Sequence, residues 1–387
     1  MNQLIIGFLI ITCIFLFFLV IPFSPDKNII DEYPNSRIDE RDTMFSRNEL
    51  KPGTSRFEKY YSKNPDKKIL DDLFRKEPGL LKKGSKYYHE QAFQMADDNF
   101  DKVELLYNRI EGSVEHSTID VHKKIITDSI KKLAIDLGAL NIGVTLCRDY
   151  HYYSHKGRRE EYDNKIVPVH SYAIAFTVEM DAEMVAGAPQ ASIVVESSKQ
   201  YLIAGRIAVD LAEKIREMGY ASRAHIDGNY QVICPLVARD AGLGEIGRMG
   251  ILMTPDHGPR VRIAVVTTNL ELEVDKYKRD HSMLEFCKLC KKCAESCPGK
   301  SISCNDPEMI NGDRKWQTNQ ESCFTYWCKA GTDCGRCMAV CPYSHPNHSW
   351  HKLIRYGIKR SKVFRYMAVY LDDFFYGRKP RVREMPF

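Results

Sequence analysis

The sequence predicts an α/β body followed by a small cysteine-rich module, with an apolar helix ahead of both. Three observations carry this. Apolar residues at helical spacing alternate with short β-branched runs between residues 86 and 279, seven cysteines crowd into two runs between Cys287 and Cys341, and an almost unbroken apolar stretch runs from Leu4 to Phe23.

The apolar stretch has about the 20 residues that a bilayer core requires. A cleaved signal peptide is the competing reading, but no lysine or arginine precedes the run and no small-x-small site follows it. The expectation is an uncleaved transmembrane anchor over residues 1–24 and a single-pass protein of the cell membrane. Lys27, Arg37 and Arg41 follow the run, which places the body on the cytoplasmic side. Residues 25–85 are polar and broken by Pro34, Pro52, Pro65 and Pro78, so they read as an irregular arm laid over the body.

Within the body, Tyr87 to Ile110 and Thr118 to Leu137 have helical periodicity, the second with a stripe of Ile126, Ile130 and Leu133. Leu140 to Leu146 and Ala173 to Val178 read as strands. Between them, Arg148 to Tyr162 is rich in aromatic and basic residues, and is either a solvated loop or a lid that lines a pocket with its rings. A long helix is predicted over Ser197 to Met218 and stopped by Gly219. A strand over Ala221 to Ile226, a short helix near Val232 to Ala241 and a strand over Val261 to Thr267 complete the alternation.

The segment G-L-G-E-I-G, with Gly242, Gly244 and Gly247, matches the dinucleotide fingerprint letter for letter. That fingerprint needs a strand before it and a helix after it. Here a helical segment precedes and an extended one follows, so nicotinamide binding is not expected. The glycines still require tight bends and permit close approach to a large flat ligand.

Residues 280–346 carry C-K-L-C-K-K-C-A-E-S-C-P, with Cys287, Cys290, Cys293 and Cys297, and then C-G-R-C-M-A-V-C-P, with Cys334, Cys337 and Cys341. The first run is the bacterial ferredoxin pattern, in which three close thiolates hold one 4Fe–4S cluster and the fourth serves another. The second run lacks one ligand, for which Cys323 and Cys328 are the candidates and Cys323 is preferred. The expected sets are Cys287, Cys290, Cys293 and Cys341 on one cluster, and Cys297, Cys323, Cys334 and Cys337 on the other. Zinc also binds C-x2-C pairs, but zinc ribbons rarely use C-x2-C-x2-C or place proline after the last cysteine.

Once eight of the thirteen cysteines are so assigned, no disulfide framework remains among the other five. A net charge of +5 spread over 387 residues excludes an electrostatic case for nucleic acid. The tail, residues 347–387, holds ten lysines and arginines against three acidic residues, interleaved with aromatics such as Trp350, Phe364 and Phe375. It reads as amphipathic helix packed on the body or as a second membrane contact.

The block A-G-L-G-E-I-G-R-M-G-I-L-M-T-P-D-H-G-P-R-V-R-I-A, from Ala241 to Ala264, is followed closely by the cysteine runs. With R-D-T-M-F-S-R from Arg41 to Arg47 and N-P-D-K-K-I-L-D-D from Asn64 to Asp72, it resembles the catalytic subunit of the corrinoid- and iron–sulfur-dependent reductive dehalogenases. The resemblance implies a nitroreductase-like corrinoid-binding domain over residues 86–279 beside a ferredoxin-like module with two 4Fe–4S clusters. It implies a cobalamin-type corrinoid near Gly242, Gly244, Gly247 and Thr254, a proton-donating Tyr201, a cationic Arg260 beside it, and a further polar pocket residue at Asn229 or Asp227. The implied reaction removes halide from a small organohalide, with electrons from a low-potential donor: a ferredoxin, a flavodoxin or a membrane carrier. Epoxyqueuosine reductase, a related corrinoid iron–sulfur enzyme, and a non-catalytic membrane-bound electron carrier are the alternatives.

Overall fold

The structure is a computed structural model that describes residues 2–20, 33–119, 122–276 and 279–386. At its centre is a four-stranded sheet in the order β1-β2-β6-β3, formed by β1 (Asn141–Leu146), β2 (Tyr172–Glu179), β3 (Ser222–His225) and β6 (Val261–Thr268). Every pairing in it is antiparallel. Between β3 and β6 lies a short hairpin of β4 (Glu245–Ile246) and β5 (Leu252–Met253). A further hairpin, β7 (Glu308–Ile310) with β8 (Asp313–Lys315), lies in the cysteine-rich part.

β2 is buried along nearly its whole length because both of its faces are covered. On one face, Ile174, Phe176 and Val178 pack with Leu211, Ile215, Ala264 and Val266. On the other, Ala173 and Ala175 meet Val237, Ala238 and Val265, which brings in the helix Cys234–Asp240. A strand buried on both faces loses the apolar–polar alternation of a half-exposed one, hence its continuous apolar run.

The long helix runs from Ala191 to Glu217, starting two turns earlier than its sequence pattern indicates. Residues 191–198 are buried around the whole helix, polar Ser192, Glu196, Ser197 and Ser198 included, so no one-sided apolar stripe announces them. The cysteine-rich segment is what covers this end. Thr332 donates a hydrogen bond to the Pro189 carbonyl at 2.8 Å. Gly335 lies so close to the helix that a Cβ there would stand 2.5 Å from Ile193 Cγ1.

The arm is more regular than its prolines suggest. Residues 33–85 contain the helices Met44–Asn48, Ser55–Lys63 and Pro65–Phe74. Pro65 occupies the first turn, where a missing N–H costs nothing and the fixed φ favours the helix. Fully buried Arg47 pairs with Asp71 at 3.3 Å and tethers the arm to Glu321.

The tail folds into two amphipathic helices, Ser349–Arg360 and Lys362–Tyr376, which pack against each other and on the helix His281–Cys290. At the amino end, Asn2–Val20 is a helix in contact with both of them: Phe15 stacks on Trp350, with centroids 6.0 Å apart, and meets Phe364 edge-on at 5.4 Å. The membrane span expected from Leu4 to Phe23 is not met among the described residues, whose helices are nowhere long and apolar enough to cross a bilayer. The last part of that expected span lies outside the described residues.

Candidate functional site

Tyr201 projects from the middle of the long helix, not from its start as the sequence pattern indicated. Its ring lies under the guanidinium of Arg262, with Cζ 4.8 Å from the ring centroid. Arg262 donates to Asp333 Oδ2 at 2.9 Å and contacts Ser197 Oγ, which itself donates to Asp333. Asp333 immediately precedes Cys334, so this chain of contacts runs from Tyr201 to the second cysteine run. Asp227 and Arg158 bring further charge to the same place, and Tyr230 donates to Asp227 Oδ1 at 3.4 Å.

Tyr201, Asp227, Tyr230, Arg262 and Asp333 keep partial exposure although the fold surrounds them, as walls of an internal cavity do. Arg158 Nε, Arg262 Nε and Asp333 Oδ1 are buried there without a hydrogen-bond partner. Burial pushes the Tyr201 phenol up to about 12, against the pull of Arg262. Burial likewise raises Asp227, while Arg158 and Arg262 oppose it. A phenol so held keeps its proton at neutral pH, and the adjacent guanidinium eases its release.

Arg260 is not part of this group. Arg260 lies in the turn just before β6 and donates to the Ser344 carbonyl at 3.0 Å, to Glu179 Oε1 at 2.7 Å and to the Met180 carbonyl. It ties β2 and β6 to the turn that follows Cys341. The expected pairing of Arg260 with Tyr201 is therefore corrected to Arg262, two residues on. Asn229 is also otherwise engaged: Oδ1 accepts from Lys156 Nζ at 3.0 Å and Arg223 Nη2 at 2.8 Å, and its N–H closes a turn on Ile226. Of the two polar candidates, Asp227 is the one that Tyr201 feels.

Gly242 has φ +82 and ends the helix Cys234–Asp240. A Cβ on Gly244 would stand 2.1 Å from the Met253 carbonyl, and one on Gly247 2.2 Å from Met253 Sδ, so both serve the closeness of β4 and β5. Thr254 is fully buried and closes the 254–258 turn with a hydrogen bond to the Gly258 carbonyl at 3.2 Å. Arg248, in the same block, caps the Cys287 carbonyl at 3.0 Å and stacks on Trp316 at 4.7 Å. This conspicuous segment thus braces the first cysteine run. The aromatic loop is no free lid: Tyr150 and His151 both bind Asp240, at 2.5 and 2.9 Å, and Tyr152 is buried.

Cys287, Cys290, Cys293 and Cys341 line one cavity with Met249 and Met253. The remaining set also comes together, since Cys323, Cys334 and Cys297 all raise the Cys337 thiol, after burial. Cys328 instead packs among Met44, Phe74 and Phe324, and Cys304 is exposed. Within both runs the chain turns through left-handed backbone, Lys291 at φ 57 and Cys334 and Gly335 both at φ 58, before a short helix. Such turns point successive N–H groups into a nest suited to iron–sulfur clusters. Among the described residues no group of three or more His, Cys, Asp or Glu side chains is placed to hold a single metal ion. Burial raises the thiols of Cys287, Cys290, Cys293, Cys323 and Cys334, and those of Cys337 and Cys341 strongly, and bound iron is what would hold them as thiolates.

The fold and site define a class: an antiparallel α/β body with a buried Tyr–Arg pair, joined to a segment with two sets of four cysteines. No family model matches the chain. A tetrachloroethene reductive dehalogenase of Desulfitobacterium hafniense is 37% identical over 191 residues, 46% of this chain and 33% of that protein. One of the same name from Sulfurospirillum multivorans is 33% identical over 217 residues, 54% of this chain and 42% of that protein. A solved catabolic reductive dehalogenase in complex with 3-bromo-4-hydroxybenzoic acid superposes with a TM-score of 0.73 at 24% identity, over 94% of this chain and 50% of that one. Another solved reductive dehalogenase, titled for B12-dependent dehalogenation, is 27% identical with a TM-score of 0.66, over 88% of this chain and 49% of that one. Over these stretches the chain is similar to reductive dehalogenases. It spans a third to a half of the length of these relatives.

Proposed function

We propose that the chain is a corrinoid- and iron–sulfur-dependent reductive dehalogenase that acts on a small organohalide. The observation that carries this reading is the Arg262–Tyr201 pair, linked through Asp333 to Cys334. The two cysteine sets suit two 4Fe–4S clusters, the one holding Cys334 being nearer to Tyr201. A corrinoid, when bound, supplies the strongly reducing cobalt that carbon–halogen cleavage needs. The half-buried walls and orphaned polar atoms around Tyr201 suit a bound ligand there. Tyr201 delivers a proton to the carbon that loses halide, Arg262 stabilises the resulting phenolate, and Asp333 and Ser197 hold Arg262 over the ring. Asp227, Tyr230 and Arg158 shape the polar end of the substrate cavity.

Membrane attachment is a further part of the reading. It is supported by the apolar run at the amino end, on which Phe8 and Ile11 are about 70% exposed, and by exposed Trp350, Tyr370, Phe374 and Phe375 beside basic residues of the tail. Binding of the protein to anionic vesicles that weakens as salt rises is expected, and no binding at low salt rejects it.

The deciding experiment is anaerobic purification with iron, sulfide and corrinoid analysis, then assay against aryl and alkyl halides with reduced viologen as donor. Bound corrinoid with no halide release from any substrate would reject the reading.

A further inference from the structure

Apart from the Tyr201 site, the molecule has a cavity of about 340 Å³ between the turn that follows Cys341 and the two tail helices. That volume lies in the range of small-molecule sites. Its walls are mostly flat rings: Phe286 and Tyr343 at the floor, Trp350 and Phe375 at the rim, the last two 55% and 65% exposed. His345 stacks on Tyr376 with centroids 3.9 Å apart, and His351 Nε2 lies 3.0 Å from Tyr376 Oη.

Two groups in this wall have buried atoms without a hydrogen-bond partner, His351 at Nδ1 and Arg355. Arg355 is 7% exposed, and while Nη2 donates to Asn347 at 2.7 Å, its Nε and Nη1 are buried with no acceptor. Unsatisfied donors of this kind are costly unless a ligand supplies the acceptor. The acid in the wall, Asp372, is already taken by Lys292 and by His345 at 2.6 Å. The cavity therefore presents flat apolar walls and a buried donor pair, with a phenol–imidazole pair further along.

We propose that this cavity binds a quinone: a planar ring whose carbonyl oxygen accepts from Arg355 and whose second oxygen meets the Tyr376–His351 pair. A redox-active ring suits the place, because the floor is the Cys341–Pro342–Tyr343 turn that closes the first cysteine set. In that respect the inference rests on the iron–sulfur reading above. The rim continues into the exposed aromatic face beside the amino-terminal helix, where Phe15 stacks on Trp350, so an apolar tail on the ring has a surface to follow.

The test uses the full chain with its cofactors and 2,3-dimethyl-1,4-naphthoquinone, whose blocked ring positions cannot alkylate cysteine. Saturable binding with one site is expected by calorimetry. Ala368, 3% exposed and in the wall, is the place to fill the cavity: Ala368→Phe should abolish binding. Tyr376→Phe, which removes one hydroxyl, should weaken it by about threefold to tenfold. Iron content and viologen-driven dehalogenation, which report on the proposed function separately, should be unchanged in Tyr376→Phe. No saturable binding by the wild type, equal binding by Ala368→Phe, or displacement of the quinone by a long-chain fatty acid but not by a second naphthoquinone would each overturn the proposal.

Discussion

In the cysteine-rich segment each set is seeded by cysteines three residues apart and completed by more distant ones, whereas around Tyr201 the residues come from five separate places: the long helix, the loop that holds Arg158, the turn after β3, β6 and the loop before Cys334. Cys287, Cys290 and Cys293 are brought together by one turn, and the left-handed Lys291 within it suffices to aim them. Arg262 reaches Tyr201 only because β6 pairs with β2 in a particular register, Arg262 opposite Val178. A shift of one residue would present the other face of the strand. The first cysteine run is thus aimed locally, while the Tyr201–Arg262 pair depends on how the body packs.

Replacing Tyr201 tests the tertiary side of this contrast most sharply. Tyr201→Phe keeps the ring under Arg262 and removes only the phenol. Turnover per bound corrinoid should fall by about 10²–10⁴, as for loss of a positioned acid, with iron and corrinoid unchanged. Full activity would remove Tyr201 from the mechanism and direct attention to Tyr230.

The two arginines should then separate. Arg262→Leu should depress turnover with normal cofactor content, because the phenol loses the cation that eases its ionisation, and Arg262→Lys should recover part of the rate. Arg260→Leu should act on stability. It strands the buried Met180 and Ser344 carbonyls, at a cost of about 3 kcal/mol, and loosens the turn after Cys341, seen as a lower melting temperature and loss of iron. If the two variants exchange phenotypes, the assignment of Arg262 to Tyr201 and of Arg260 to the turn after Cys341 fails.

On the local side, Cys297→Ala and Cys323→Ala should each cost about half of the iron, while Cys328→Ala and Cys304→Ala should keep it. Iron analysis of the four variants decides between Cys323 and Cys328 directly.

The smallest effect concerns pH. Burial works against the Asp240 carboxylate, yet the His151 hydrogen bond and Arg239 hold it down to about 2. Burial lowers His151 despite that partner. Both folded values lie below the unfolded ones, so the unfolded chain binds more protons and stability falls as the medium is acidified. The His151 contribution wanes as pH drops below about 6.5 and the Asp240 contribution below about 4, toward 2. Asp240→Asn should flatten the acid limb of a melting-temperature profile and free Tyr150; an unchanged limb would show that the pair does not anchor the aromatic loop.

The strands and body helices were legible because each buries a regular stripe or a short β-branched run, and observed ends fall within a few residues of those read from the pattern. The first two turns of the long helix were not, since the cysteine-rich segment buries their polar face as well. Of the arm helices, Pro65–Phe74 was partly hidden by the proline at its start. Among site residues, the grouping of the cysteines is an expectation from their spacing, and the packing of Cys328 among Met44, Phe74 and Phe324 favours Cys323 as the eighth ligand. Tyr201 was expected by resemblance, and the structure sets Arg262 over its ring in place of Arg260, because Arg260 lies before the strand and is held by Ser344, Glu179 and Met180. Gly244 and Gly247 face the chain's own Met253, and close approach leaves the same mark in a sequence whether the partner is a cofactor or the chain itself. The sequence by itself determined which chemistry-bearing residues lie within one turn of each other; the tertiary structure alone decided which side chains from distant strands and loops share a cavity, because that depends on long-range pairing and on which faces are covered.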